Sequence, residues 1–315
     1  MSPPGAPSPH LPEPRPGAPD PPPDPAVRGR AAGAGPREAA SWSARRTLAT
    51  NLRGIVGRAY PRVRGSLREK SWVFFEIALP FLSTCAFVLV YRALEAPEAY
   101  VGFAVLGGAM TAFWLNVLWA MGAQLYWDRG EGNLEIYFTA PISLMSILVG
   151  MAVGGLYLSG TRALVIVAVG SILFGVQYAI DQWLLLGAVF LLTLVALYGL
   201  GMLMASLFLF WGREAWHLAN LFQEPVYFLG GLYAPVKVLG PLAGLAIGLL
   251  PLAVGLDAIR QLTFSQVTGI GVLPPAAEAA ILVAMCAVFL VLARFALAYF
   301  ERKARAEGRL MARWQ

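Results

Sequence analysis

Long apolar stretches, each about as long as a membrane-crossing helix, alternate with short polar segments along this chain. Two of them, residues 101–126 and 182–212, contain no Asp, Glu, Lys or Arg. A helix needs about 20 largely apolar residues to cross a hydrocarbon core roughly 30 Å thick. The alternation of polar and apolar residues that marks a barrel strand is not visible. The pattern therefore predicts an all-α integral membrane protein.

Six transmembrane helices are predicted from these stretches. They cover residues 72–94, 101–125, 147–174, 183–210, 215–233 and 279–300. Residues 238–256 are also uncharged, but four glycines and two prolines interrupt them. That segment is either a seventh span or a re-entrant, interfacial pair of helices.

The distribution of basic residues predicts the orientation in the membrane. Eleven Lys or Arg lie within residues 28–70, and five more follow the last span. Because cytoplasmic segments carry an excess of Lys and Arg, both ends of the chain are expected in the cytoplasm. Two cytoplasmic ends require an even number of spans, so we predict that residues 238–256 form a re-entrant, non-spanning element on the outer side. The expected location is the plasma (cell inner) membrane, with multiple passes.

Composition agrees with a membrane protein. Hydrophobic residues make up 58% of the 315 residues and charged residues only 13%, against roughly 25% charged in a soluble domain. The net charge is +6, but the basic residues gather beside membrane segments, so we expect contact with membrane lipid and no nucleic-acid partner. Cys85 and Cys286 lie in apolar runs, without the spacing or the clustered histidines of a metal site.

Four regions are predicted along the chain. Residues 1–40 hold 13 of the 23 prolines and are expected to be a disordered tail. Residues 41–70 are expected to form a basic amphipathic helix on the membrane surface, broken near its end by Pro61; a charged face in solvent is the alternative. Residues 71–300 form the transmembrane domain, and residues 301–315 a basic cytoplasmic tail.

Motifs of enzymes are absent from the sequence. It contains no GxxxxGK[ST] phosphate loop, no HExxH and no GxSxG, and its two histidines are His10 and His217. We therefore predict no catalytic, cofactor-binding or metal-binding residue on this chain.

Four ionisable residues fall within the predicted spans: Glu76, Arg162, Glu224 and Arg294. A charge inside a membrane is costly and needs a reason. Glu76 and Arg294 lie close enough to the cytoplasmic ends of their spans to reach water. Arg162 and Glu224 lie deeper, so they are either a structural pair inside the bundle or residues with a role in transport or gating.

The segment between the second and third spans, residues 127–143, combines charged residues, Gly130 and Gly132 with a short helical stretch. That helix is predicted over residues 133–139, with Asn133 as its N-cap and Pro141 after its end. The apolar side chains on it are Leu134, Ile136, Tyr137 and Phe138. On the cytoplasmic side, an exposed apolar surface of this kind would dock a soluble partner; a well-ordered loop is the alternative.

This segment resembles the cytoplasmic motif of transmembrane permease subunits of ABC transporters of the type-2 exporter family. In those proteins a charged turn leads to glycine, Thr-Leu-Glu, two apolar residues and a proline followed by Ser. The matching positions are Gly132, Asn133, Leu134, Glu135, Tyr137, Phe138, Pro141 and Ser143. Asn133 replaces the usual Thr, and Ala140 replaces the Thr before the proline.

A second segment, residues 228–262, also resembles this family, whose members follow the fifth span with glycine, an aromatic residue and proline, then re-entrant external helices. The matching positions are Phe228, Leu229, Gly231, Tyr233, Pro235, Leu250, Pro251, Leu256, Asp257 and Arg260. Among them we expect Gly231, Pro235, Pro251, Asp257 and Arg260 to define the external segment. The likeness extends over residues 45–305.

The resemblance implies a permease without catalytic residues of its own. Two copies, or one copy and a sibling chain, would form a homo- or heterodimer, and each would dock a separate ABC ATPase subunit that holds ATP and Mg²⁺. Leu134, Glu135, Tyr137 and Phe138 would contact that ATPase through a coupling helix. The exported substrate would be drug-like or amphiphilic, with a polysaccharide or lipid as the alternative cargo. An ion-coupled secondary transporter acting without an ATPase, or a membrane-embedded enzyme or scaffold, are readings from other classes.

Overall fold

The computed structural model describes residues 36–140, 142–211, 214–240, 242–267 and 269–306. By its contacts the chain divides into two units, Met1–Leu48 and Ala49–Gln315. Only the helical residues 36–48 of the first unit are described, and all contacts reported below belong to the second. The predicted disorder of the tail before residue 36, the role of Pro141 and the end of the basic tail lie outside the described residues.

The described residues are helical throughout, apart from short connections and one isolated bridge between Ala179 and Phe264. The α-helices are α1 (Pro36–Arg68), α2 (Lys70–Ala93), α3 (Ala99–Leu115), α4 (Gln124–Gly130), α5 (Asn133–Thr139), α6 (Leu144–Phe174), α7 (Trp183–Trp211), α8 (Glu214–Leu229), α9 (Leu242–Leu249), α10 (Pro251–Thr263) and α11 (Pro275–Ala306). A π-helical segment, Asn116–Gly122, joins α3 to α4, and a 3₁₀ turn, Val236–Leu239, precedes α9. The predicted all-α class is confirmed.

Five helical segments of the described chain are long and apolar enough to cross a membrane. They are Val73–Ala93, Ala99–Asp128, Leu144–Phe174, Trp183–Phe208 and Pro275–Phe300. Helices α9 and α10 meet at an angle of 105° and would add a sixth crossing only if the pair were one broken span. Pro251 is the first residue of α10 and cannot continue α9, which explains the break.

Helix α8 covers most of the predicted fifth span, residues 215–233, but has only 16 residues. At 1.5 Å per residue it is about 24 Å long. It is therefore not among the five segments that pass the length test.

The span that begins at Ala99 is the centre of the core. Nearly all of its side chains are buried, including Phe103, Trp114, Val117 and Met121. By contrast, large apolar side chains such as Ile172 (84% exposed) and Leu184 (92% exposed) point away from the protein. In water these positions would be unfavourable, whereas in a bilayer they are solvated by lipid.

Helix α1 continues past Pro61 to Arg68, so the predicted break at Pro61 is wrong. On its exposed face lie Leu52, Val56 and Tyr60, four residues apart. Its covered face meets α6, where Gly150 and Gly154 lie directly against it. This exposed apolar stripe, with the exposed Arg53 and Arg64 beside it, suits a helix held between the protein and the membrane interface.

Candidate functional site

The loop between α4 and α5 turns sharply at Gly132, whose φ is +81°. Only glycine adopts this conformation readily, and Gly132 is the residue that caps α5. The prediction of Asn133 as the N-cap is wrong: Asn133 is the first helical residue, and its Nδ2 donates to Glu131 Oε2 at 2.9 Å. The predicted bounds of the helix, residues 133–139, are confirmed.

The predicted apolar surface of α5 is divided between two faces. Leu134 is only 1% exposed and packs into the core, so the expectation that it lies on the exposed surface is wrong. Ile136 is 63% exposed. Of the other predicted contacts, Tyr137 is half-buried, and the side chains of Glu135 and Phe138 lie outside the described part of the structure.

Asp128, at the end of the central span, joins three structural elements. Its carboxylate is 1% exposed and accepts hydrogen bonds from Arg58 Nη2 at 2.8 Å, Gln124 Nε2 at 3.1 Å and the Tyr137 hydroxyl at 3.1 Å. We call these four residues the Asp128 clasp. It connects α1, α4 and the short helix α5 through one buried carboxylate.

The surroundings of the clasp favour the protonated form of the Tyr137 hydroxyl. Burial and the neighbouring carboxylate of Asp128 raise the pKa of Tyr137, so its hydroxyl remains a donor at neutral pH. The guanidinium of Arg58 lies over the ring of Tyr137, 5.5 Å from its centroid. Asn51 of α1 adds a link to the connection between α5 and α6, because its Oδ1 accepts from the backbone N–H of Ser143 at 3.2 Å.

Three glycines of α6 allow close approach of its neighbours. A Cβ at Gly150 would touch the backbone of Ile55, and a Cβ at Gly154 would lie 3.1 Å from Cδ of Arg62. Gly155 lies against the side chain of Asn116. Because small residues let helices pack closely, Arg58 and Arg62 of α1 extend along α6 into the bundle.

The intramembrane residue Arg162 pairs with Glu76, not with Glu224. The two side chains form an ion pair between α6 and α2, and Arg162 is largely buried. Glu224 is exposed on α8, so the suggested pair of Arg162 and Glu224 is not formed. Glu76, expected only to reach towards water, is the counter-ion of Arg162.

A polar cluster lies around this ion pair, and we define it as Arg62, Glu76, Asn116, Arg162 and Tyr198, of which the last three are buried. The Tyr198 hydroxyl donates to Asn116 Oδ1 at 3.2 Å. Asn116 begins the π-helical segment, a type of irregularity that is frequent at functional sites.

The depth of this cluster follows from positions along the spans. Arg162 is twelve residues before the end of α6, so it lies about 18 Å along the axis from that end. Glu76 is seventeen residues before the end of α2, or about 26 Å. If those ends mark the outer surface, the cluster lies in the inner half of a bilayer roughly 30 Å thick.

Arg260 organises the turn that follows α8. It is 1% exposed, and its guanidinium donates to four backbone carbonyls: Gly231 at 2.5 Å, Ala234 at 3.0 Å, Leu232 at 3.0 Å and Phe103 at 2.8 Å. Gly231 has a φ of +66°, which turns these carbonyls towards one point. Pro235 is buried at the end of the same turn.

Asp257 has a different set of partners from Arg260. Its Oδ2 accepts from the backbone N–H of Val272 at 2.8 Å and from Gln261 Nε2 at 3.4 Å. Gln261 Nε2 also donates to Glu278 Oε2 at 3.2 Å. These contacts fasten the connection between α10 and α11, and sequence reasoning had not singled out Glu278.

Within the described residues, no three His, Cys, Asp or Glu side chains gather to hold a metal ion. Sequence reasoning had also missed Asp128 as a functional residue. A signal for Asp128 was available, because it is the first acidic residue after the charge-free run 101–126. Such a charge at the end of a central span requires a partner.

Comparison with known families identifies the chain. The family model described as ABC-2 type transporter matches residues 63–264. This protein belongs to the ABC-2 type transporter family. No curated protein matches it.

Membership in the ABC-2 family agrees with the fold. ABC-2 membrane domains are transport permease components without catalysis of their own, and they generally work with ABC ATPase partners. The matched region of this ABC-2 chain includes Gln124, Asp128 and Tyr137 of the clasp, the ion pair of Arg162 with Glu76 and the turn held by Arg260. The protein is therefore a multi-pass membrane permease component.

Proposed function

We propose that this chain is the permease subunit of an ABC exporter whose separate ATPase subunit docks on α5. ATP hydrolysis on that partner would drive a drug-like or amphiphilic substrate along a path formed by the spans. The observation that carries the proposal is the Asp128 clasp, which links the short helix α5 to the central span by hydrogen bonds.

The clasp supplies a mechanical connection. A displacement of α5 would be transmitted through the Tyr137 hydroxyl to the carboxylate of Asp128. From there it would pass to the central span and to Arg58 of α1. Leu134 anchors α5 in the core, while Ile136 is left exposed for a partner. We therefore assign the ATPase contact to the face of α5 that carries Ile136, and Glu135, Tyr137 and Phe138 of the same helix remain proposed contacts.

The proposed membrane arrangement has six spans. Helix α8, completed by residues 230–233, is the fifth, and α9 with α10 forms the re-entrant external element. The permease lies in the plasma membrane, and both ends of the chain are in the cytoplasm. This orientation agrees with the basic residues at each end of the chain. A second copy or a sibling chain completes the transporter.

The deciding experiment is co-purification of the tagged full-length chain from native membranes, followed by identification of its partners and an ATPase assay. A subunit with a Walker motif is expected to co-purify with the wild-type chain. Ile136→Asp is expected to lower its recovery about tenfold, the effect of losing about 1.4 kcal/mol of contact. Ile136→Leu and Glu131→Gln, on the same loop, are the matched controls and should retain the partner.

A chain that transports under an ion gradient alone, with no ATPase in the preparation, would overturn the proposal. Recovery of the ATPase at full yield with Ile136→Asp would leave the permease function but remove α5 as its docking site.

A further inference from the structure

The inner part of the bundle carries more positive than negative charge. Three guanidinium groups, those of Arg58, Arg62 and Arg162, lie in the region where the described residues provide two carboxylates, Asp128 and Glu76. Arg58 is paired with Asp128, and Arg162 with Glu76. One positive charge, that of Arg62, is left without a counter-ion of its own.

Arg62 makes no ion pair or hydrogen bond within the described residues, and its Nε is buried. Burial is the main reason that the pKa of Arg62 falls from 12.5 to about 10, and the charge of Arg58 lowers it further. A group with that pKa is still protonated at neutral pH. An unpaired charge withdrawn from water is costly, and an anion beside it removes much of that cost.

The position of Arg62 indicates where such an anion would come from. Arg62 is one helical turn after Arg58, on the face of α1 that meets α6. The opposite face exposes Leu52, Val56 and Tyr60, which places α1 at the boundary between headgroups and acyl chains. An amphiphile in the inner leaflet would hold its head at the same level.

We propose that Arg62 is the centre of a binding site for the phosphate or carboxylate head of an amphiphile in the inner leaflet. The planar guanidinium offers paired N–H donors that match the oxygens of either group. Arg58 and Arg162 on either side strengthen the positive potential, and their own carboxylates are already engaged. The head belongs either to a bilayer lipid or to the transported cargo, and only the second source rests on the proposed export function.

The test uses the full-length permease alone in phosphatidylcholine nanodiscs, with dodecyl phosphate as the probe and equilibrium dialysis as the measurement. Arg62→Gln is expected to weaken binding about tenfold or more, equivalent to about 1.4 kcal/mol. Arg62→Lys keeps the charge but loses the paired N–H donors. Its affinity for dodecyl phosphate is expected to lie between those of wild type and Arg62→Gln. Arg64→Gln is the matched control, because Arg64 is exposed two residues away and contacts only the ring of Tyr60.

Equal binding of dodecyl phosphate to wild type and Arg62→Gln would overturn the proposal, as would an equal loss with Arg64→Gln. Folding is checked by thermal unfolding without the probe. There Arg62→Gln should melt no lower than wild type, because it removes an uncompensated charge. If Arg62→Gln does not fold, Arg62→Lys decides: binding at wild-type strength would overturn the role of the guanidinium.

Adding phosphatidylglycerol to the nanodiscs distinguishes the two sources. Competition with dodecyl phosphate assigns the site to a bilayer lipid, and undiminished binding assigns it to cargo; both support the anion site. No ATPase is present, so a failure of the proposed docking on α5 leaves this result standing.

Discussion

Arg58 and Asp128 are separated by 70 residues in the chain, yet Nη2 of one lies 2.8 Å from Oδ2 of the other. Asp128 is almost fully buried, whereas Arg58 keeps 24% of its side chain exposed. The pair therefore closes a long loop of chain through a contact that is partly shielded from water. It brings α1, which precedes all the spans, next to the Asp128 end of the central one.

Removal of one partner of this pair is expected to cost more than removal of both. Asp128→Asn leaves Arg58 without its counter-ion and should destabilise the protein by about 1–3 kcal/mol, less than for a fully buried pair because water reaches Arg58. With Arg58→Gln, a double-mutant cycle should give a coupling energy of about 1 kcal/mol or more. Thermal unfolding in nanodiscs provides the measurement. Additive changes in stability for Asp128→Asn and Arg58→Gln would contradict the clasp. An equal loss of stability in Arg64→Gln, at an exposed position, would contradict it too.

The Tyr137 hydroxyl is expected to stay protonated at a pH where ordinary tyrosines ionise. Because its pKa is raised in the folded protein, its contribution to stability is complete below about pH 10 and is lost only as the pH rises through the higher folded pKa. The tyrosinate absorbance of wild type minus Tyr137→Phe should be zero near pH 10. Tyr60→Phe, at an exposed position of α1, is the control for the substitution itself. A Tyr137 signal at that pH would disprove the contact with Asp128.

Two glycines of the bundle should respond in opposite ways to alanine. A Cβ at Gly107 would overlap the carbonyl of Leu232, so Gly107→Ala is expected to destabilise by about 1–3 kcal/mol. Gly160, in the middle of α6, has nothing within 4 Å of a new Cβ. Gly160→Ala should be neutral or stabilising by up to about 1 kcal/mol. Melting temperatures test both; a neutral Gly107→Ala would show that the turn after α8 lies elsewhere.

Arg260 should control access to the turn formed by residues 231–240. Arg260→Gln leaves several buried carbonyls without a donor, each at a cost of about 1–3 kcal/mol. Arg260→Lys cannot reproduce the forked contacts and should rescue only partly. Lys237, exposed in the neighbouring turn, is then expected to become a site for trypsin added outside intact cells. Adding Lys237→Gln should abolish this cleavage and so shows that Lys237 is the site. An unchanged digestion pattern would contradict the clamping role.

The solvent explains why the spans were predictable. Lipid requires long uncharged helices with their backbone hydrogen bonds satisfied internally, so a run such as residues 183–210 marks the helix Trp183–Trp211 almost to the residue. The same rule does not predict which charged side chains pair with each other inside the bundle. Arg162 had two acidic candidates, Glu76 and Glu224, and only the packing of α2 against α6 selects the first.

Short elements were less predictable, for physical reasons. Helix α5 has seven residues, hardly two turns, so its periodicity does not reveal that Leu134 faces the core and Ile136 faces out. The prediction that Pro61 breaks α1 relied on local propensity, which tertiary contacts along α6 override. The N-cap of α5 was misplaced because Gly132 satisfies the turn with its backbone alone.

The orientation of α1 also has a consequence for biogenesis. It exposes the apolar side chains of Leu52, Val56 and Tyr60, while Arg58 and Arg62 lie against α6, so the helix has no stable environment in the aqueous cytosol. Asp128, the partner of Arg58, is translated 70 residues later, and Ser143, the partner of Asn51, is translated 92 residues later. At ordinary rates of about 5–20 residues per second, the ribosome needs several seconds to supply those partners. The segment translated before any span therefore reaches its final position only after the central span has been made.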